Sequence, residues 1–423
     1  MRAVTHSRIL DFSYRPGQQR SMRIFHTERG LAAHPVMAVG NAVFHLEKIL
    51  RQTSVDEVRI AVSPNHLPTG ARRSIVSTLT DLVSYVLVEE VAFTIAKSAP
   101  VKPKRIRTPF DLTPTHTVCL FSGGVDSLVG LLLAAERFPG LNAVFCAHSD
   151  QAHAIRIVKN LVSEELQPRQ IPLRKVHVPP IEKKGYAQTR GFLYILMAAA
   201  WMELLKASTL VVTEVGPTMY QPKFAPLDVV TLTTHPFVVE TARSVLEHLL
   251  GRPIEILTPF EDLTKAEVFA LAPPGSGLGK THSCISQRFG DHDGTCYGCV
   301  VRRLASIASR RRDVSYRRDP LVDLTAERGN LLALLRFNLD FLQNPYGMEQ
   351  YEVGDIFAYG KKDLFLRFAL DNFSAVHHLV KARRTVASDV RKMYRSAVTI
   401  LGGVQPLEDR LSALSRGAFS PKF

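Results

Sequence analysis

The stretch TVCLFSGGVDSLVGLLLAAER, Thr117 to Arg137, decides how the rest of the chain is read. Thr117 to Phe121 is a short apolar run of strand character. Asp126 to Arg137 has helical composition and is stopped by Phe138-Pro139-Gly140. Between them lies SGGVDS, Ser122 to Ser127. Gly123 and Gly124 can take positive φ and carry no Cβ to block an approaching group. Their N–H groups, with that of Val125 in the first helical turn, make a positive cradle for oxyanions. Ser122 and Ser127 add hydroxyls. A carboxylate beside a bound pyrophosphate is repulsive unless a cation lies between them, so Asp126 is expected to help hold Mg2+. No GxxxxGK[ST] and no GxGxxG accompanies the strand, which argues against a Walker-type γ-phosphate site and a dinucleotide fingerprint.

Working outward, strand-like and helical runs alternate. Strands are expected at Asn142–Ala147, Lys175–Val178, Thr209–Thr213 and Pro253–Leu257, and helices at Gln151–Glu165, Gly191–Ala207 and Phe237–Leu250. Such alternation predicts an α/β fold with a doubly wound parallel sheet and right-handed crossovers. Ligands then bind beyond the carboxyl ends of the strands. The chain divides by composition into an α+β extension (1–110), a catalytic domain (111–310) and a basic, mainly helical region (311–423). SAPVKPKRIRTPFDLTPTHT, Ser98 to Thr117, is rich in proline and positive charge and reads as a linker. Helical patterns follow in NLLALLRFNLDFL and in SAVHHLVKARRTVASDVRKMYRSAV.

The 423 residues are enough for two or three domains, and the composition, 46% hydrophobic and 22% charged, is that of a folded soluble protein. Met1 to Leu10 contains His6 and Arg8 and lacks the apolar run of a signal peptide. Phe192 to Leu205 is too short to span a bilayer and contains Glu203, so it reads as a buried helix. Three of the five cysteines cluster (Cys284, Cys296, Cys299), which favours metal binding over a disulfide framework and places the protein in a reducing cytoplasm. Net charge is +14, more than half of it after residue 301. SRRRDVSYRR, Ser309 to Arg318, suits contact with nucleic acid or an acidic partner, or a solvated surface segment. No zinc-finger, recognition-helix or aromatic RNA-binding signature accompanies it.

SGGVDS resembles the signature of the PP-loop ATP pyrophosphatases. Over residues 115 to 308 the chain is similar to the 7-cyano-7-deazaguanine synthase (QueC) family. Gln151 and His153 stand in SDQAHAIR, with Asp150 where that family has Gly. Arg190 opens a long helix in QTRGFL, Lys265 stands in LTKAEV, and THSC (Thr281 to Cys284) precedes DGTCYGCVVR (Asp293 to Arg302). The resemblance implies a zinc site whose second cysteine is replaced here by Asp293, leaving Cys284, Cys296 and Cys299. Zinc tolerates carboxylate or imidazole as fourth ligand, so Asp293, His292 and His282 are all candidates. A Tyr-Pro-Asp-Cys-Arg stretch of the nitrile-forming enzymes is absent. In its place, Glu214, Gly216 and Thr233 to Pro236 look like the divergent QueC-like proteins of bacterial anti-phage operons, as in Qat and type IV CBASS systems.

The resemblance implies an enzyme that uses ATP, Mg2+ and Zn2+ to adenylate a 7-deazaguanine carboxylate and pass it to a nitrogen nucleophile. That nucleophile is ammonia or an amine on a partner protein from the same operon. Arg190 and Lys265 are the expected neutralisers of phosphate oxygens. Gln151, His153 and Glu214 are the expected substrate contacts, Glu214 being able to pair a guanine-like amidine edge. The alternatives are a housekeeping 7-cyano-7-deazaguanine synthase, a non-catalytic ATP-binding subunit and, on the basic tail alone, a tRNA-modifying enzyme.

Overall fold

Val58, Ile60 and Val62 alternate inward along a strand whose other positions are less buried, the period-2 pattern of a sheet packed on one face. This strand, β2 (Glu57–Val62), lies between β1 (Ile9–Ser13) and β3 (Ala92–Lys97), and both pairings are parallel. Parallel neighbours need crossovers, supplied by α1 (His34–Leu50) and α2 (Ala71–Leu87). The extension expected as α+β therefore has α/β topology. The computed structural model describes residues 9–13, 34–62, 67–68, 70–97, 112–148, 151–179, 188–223, 232–285 and 292–423. Asp150 and the linker residues 98–111 lie outside the described residues.

A second parallel sheet comprises β4 (Thr117–Leu120), β5 (Asn142–His148), β6 (Leu173–Val178), β7 (Thr209–Val211) and β8 (Glu255–Leu257), in the order β6-β5-β4-β7-β8. Its connecting helices are α3 (Val125–Arg137), α4 (Ala152–Leu161), α5 (Arg190–Leu205) and α7 (Pro236–Leu250), with a single short turn, α6 (Gly216–Met219), after β7. Five strands and their helices were legible in the sequence, with ends shifted by one or two residues in most cases. The helix expected to run to Glu165 stops at Leu161 and continues as one π turn to Leu166. From β4 the chain winds outward to β6, then returns beside β4 as β7 and winds the other way. The carboxyl ends of β4 and β7 flank the reversal, where a crevice opens in such sheets.

α5 is apolar around most of its circumference because all of it but Arg190, Tyr194 and Glu203 is buried. The sheet covers one face, and α1 and α7 cover the others. Leu193, Leu196 and Trp201 are fully buried there, and one core runs from β2 through α1 and α5 to α7. Each such side chain stabilises the fold by ~1.5–3 kcal/mol.

The remaining helices are α8 (Lys265–Leu271), α9 (Tyr297–Ala308), α10 (Gly329–Gln343), α11 (Gly354–Ala358), α12 (Lys362–Lys381), α13 (Ser388–Ile400) and α14 (Gln405–Arg416). The helical pattern read over Ser374 to Val398 falls on two helices, the end of α12 and most of α13. Phe337, Phe341, Phe365 and Phe373 form a core continuous with Val129 of α3, Phe269 of α8 and Leu304 of α9. Among the described residues no helix is long and apolar enough to cross a membrane.

Candidate active site and metal centre

The SGGVDS turn leaves β4 and enters α3. Gly123 sits at φ 81°, and a Cβ there would lie 2.9 Å from Val158 Cγ2 of α4. Glycine is required by both backbone and packing. Gly124 is the N-cap of α3, and the first-turn N–H groups beyond it lack carbonyl partners by helix geometry. The serines hold the turn itself. Ser127 Oγ donates to Gly124 O at 3.0 Å and accepts from Ser122 N at 3.2 Å. Ser122 Oγ lies 3.0 Å from Ser127 Oγ and accepts from Gly124 N at 3.3 Å.

Asp126, in the first turn of α3, forms an ion pair through Oδ2 with Lys265 Nζ, and both side chains are largely buried. Asp126 Oδ1 is buried with no hydrogen-bond partner among the described residues. A buried, unmatched carboxylate oxygen fits a group that arrives with a cation. Lys265 is held in place because it opens α8, which is fixed by a capping box between Thr264 and Glu267. Glu214, from the loop after β7, accepts from Val215 N at 3.3 Å. Burial pushes its carboxyl up to about 7, the Asp126 carboxylate pushes it the same way, and Lys265 and Arg190 oppose them. Two carboxylates and two cations thus face one another across the strand reversal.

They line a cavity of about 520 Å3. Ser122, Gly124, Val125, Asp126 and Ser127 form one wall. Gln151, Arg190, Glu214 and Lys265 come from four other elements to complete it. Gly123 is not a wall residue. Nor is His153, whose ring packs edge-on against His282 at 4.6 Å and whose Nδ1 lies 3.2 Å from Arg156 Nη2. Sequence reasoning missed Tyr194, which lines the cavity one helical turn after Arg190; the i, i+4 spacing on α5 was the available signal. Its hydroxyl lies 2.6 Å from His148 Nε2. It also missed Thr213 and Asn330, the latter carried in by α10 with no local signal. Thr233 and Thr234 line the cavity as well, but His235 beside them is fully buried elsewhere, against Tyr85 and Tyr220.

Cys284, Asp293, Cys296 and Cys299 converge, with their ligand atoms all within 4.8 Å of one another. Cys284 and Cys296 Sγ are 3.8 Å apart, far beyond a disulfide. Tetrahedral zinc with Zn–S bonds near 2.3 Å sets sulfurs about 3.8 Å apart. The neighbouring Cys284 thiol pushes the Cys296 thiol up to about 11; Cys299 pulls the other way, and burial adds a smaller upward push. Cys299 is pushed up as well by the two thiols beside it. Crowded thiols of this kind are relieved by a cation that takes them as thiolates. The donor set can bind a metal such as zinc. Of the candidate fourth ligands, Asp293 is the one in the cluster. His292 Nε2 accepts from Ser283 N at 3.1 Å, and its imidazole is pushed down to about 4 by burial and by Arg302, so it stays neutral. Asp293 Oδ1 accepts from Thr295 N and Cys296 N, which shapes the turn.

Arg302 anchors this loop from within. It is fully buried and donates to Leu278 O, Thr281 O and Oγ1, and Ser283 Oγ. Its Nε pairs with Asp313 at 2.8 Å, and Asp313 also accepts from Ser306 and Tyr316. The Arg-rich run therefore contributes Asp313 and Tyr316 to the support of the cysteines. Because Cys284 and Cys296 also line the cavity, the candidate metal centre forms part of its wall. No protein-family model matches the chain, and no curated protein matches it.

Proposed function

We propose that this protein is a PP-loop ATP-dependent ligase of the QueC-like kind that adenylates a 7-deazaguanine carboxylate and transfers the acyl group to a nitrogen nucleophile. The observation that carries the reading is the convergence of the SGGVDS turn with Arg190, Glu214 and Lys265 on one cavity at the strand reversal. A carboxylate oxygen of the substrate attacks the α-phosphorus of ATP, and the bond to the bridging oxygen breaks to release pyrophosphate. The nitrogen nucleophile then adds to the acyl carbon, AMP leaves, and one proton is lost to solvent. The turn's N–H groups orient the phosphates and stabilise developing charge. Lys265 and Arg190 neutralise phosphate oxygens. Gln151 and Glu214 contact the base, Glu214 through a guanine-like amidine edge. Mg2+ held at Asp126 would neutralise the pyrophosphate. Zinc held by Cys284, Asp293, Cys296 and Cys299 would fix the loop against the cavity.

The proposed setting is a bacterial anti-phage operon in the cytoplasm, with an amine of a partner protein as acceptor. The residues that depart from the nitrile-forming enzymes support it over a housekeeping synthase. The test is pyrophosphate release from ATP and Mg2+ with and without 7-carboxy-7-deazaguanine. Release that depends on the acid and disappears in Asp126→Ala supports adenylation. Absence of release with the acid and a nitrogen donor present overturns it and leaves a non-catalytic ATP-binding subunit. Restoration of 7-cyano-7-deazaguanine synthesis in a strain lacking its own enzyme would instead favour the housekeeping role.

A further inference from the structure

Two helices end side by side in the same unusual way. α9 finishes with Arg310 N donating to Ile307 O at 3.1 Å and Arg311 N to Ser306 O at 3.0 Å. α12 finishes with Arg383 N donating to Val380 O and Arg384 N to Leu379 O, both at 3.0 Å. Each is a Schellman ending, in which the left-handed residue is ordinarily glycine. Here Arg310 and Arg383 both occupy it, each at φ 54°. A side chain in that conformation costs about 1 kcal/mol or more that glycine avoids. The two endings project Arg310, Arg311, Arg383 and Arg384 into one cleft of about 800 Å3.

The charge in this cleft is largely unbalanced. Arg303, on its wall, is paired with Asp319, and Asp313 is occupied by Arg302, Ser306 and Tyr316. Among the described residues the Arg311 side chain donates only to the carbonyl of Ala270. Arg310, Arg383 and Arg384 have no side-chain partner among the described residues. His378, on the floor, has its imidazole pushed below the usual range by burial and then by Arg310. Ile307, Val322 and Leu379 supply the apolar floor, and among the described residues no Phe, Tyr or Trp lines the cleft.

We propose that this cleft binds a small oligophosphate, a ligand with several phosphate groups in a short chain, between the paired arginines of the two helix ends. Guanidinium forks match phosphate oxygens two at a time, and four of them call for three or four negative charges in a small volume. The cleft has small-ligand dimensions. The absence of aromatic stacking surfaces argues against single-stranded nucleic acid as occupant. The site is separate from the sheet-reversal cavity and does not depend on the reaction proposed there.

The test uses the full chain and inorganic tripolyphosphate, titrated by calorimetry in the presence of a chelator. The Arg310→Gly/Arg383→Gly variant removes both guanidiniums and places glycine where the backbone favours it. Binding is expected to weaken by at least about tenfold while the thermal midpoint holds or rises. Arg384→Ala, at an exposed position without positive φ, is expected to weaken binding without a change in fold. Tripolyphosphate that fails to bind the wild type overturns the proposal. Affinity unchanged in both variants also overturns it, since the ligand is then held outside this cleft. Binding of duplex DNA or RNA in place of tripolyphosphate, lost in the same variants, overturns the small-ligand assignment.

Discussion

Arg410 Nη2 of the last helix donates to Glu267 Oε1 at 2.5 Å, joining two buried residues 143 positions apart. The same guanidinium donates to both oxygens of Asp371, whose Oδ2 also accepts from Thr264. Arg367 reaches Glu267 from α12 at 2.9 Å. Thr264 and Glu267 are the capping box of α8, and Lys265 is the first residue of that helix. The C-terminal helices therefore set the position of the lysine that meets Asp126.

Removing one member of this network leaves buried charge without a partner. Arg410→Ala is expected to destabilise the protein by about 3–5 kcal/mol. Denaturant unfolding would measure it. A loss below about 1 kcal/mol would mean that the network contributes little and that apolar packing alone fixes α8.

The cysteine cluster predicts a metal content. Purified protein is expected to carry close to one zinc per chain by elemental analysis, and Cys299→Ser to carry far less. Asp293→Cys completes a four-thiolate set and is expected to retain the metal at least as well. Wild-type protein purified with added zinc and still metal-free would assign the cluster to packing alone.

His235 predicts a pH dependence of stability. Its Nδ1 accepts from Phe237 N as the N-cap of α7, and Asp355 lies 3.4 Å from Nε2. Burial holds its imidazole below the usual range, against smaller opposing pulls from Asp355 and Glu261. The folded protein keeps it neutral, and the unfolded chain protonates it first. Its contribution is therefore fully present above about pH 6.5 and is lost as pH falls through the lower folded value. His235→Asn preserves a capping side chain and removes the titration. Thermal midpoints below pH 6.5 should fall less steeply in that variant, and identical slopes would count against this assignment.

Gly191 predicts a steric effect on the cavity. A Cβ at this second residue of α5 would lie 1.5 Å from Thr233 O. Gly191→Ala must therefore displace the Thr233-Thr234 segment that lines the cavity, at a cost of about 1–3 kcal/mol. Wild-type stability and unaltered ligand affinity in this variant would show that the segment repacks freely.

The sequence by itself determined the second sheet and the SGGVDS turn between β4 and α3. Both depend on local physics: short apolar runs, a helix stop at Phe138-Pro139-Gly140, and glycines that permit an αL turn and close packing. It also picked out three cysteines of the cluster and left the fourth candidate ligand among Asp293, His292 and His282. Tertiary structure places Asp293 with the three cysteines, while Ser283 N–H occupies His292 Nε2. It alone brought Asn330 to the cavity, turned His153 toward His282, and set Arg310 beside Arg383. It also merged the N-terminal sheet and α5 into one core. Those relationships depend on which faces of distant helices are buried together, and no local pattern encodes that choice.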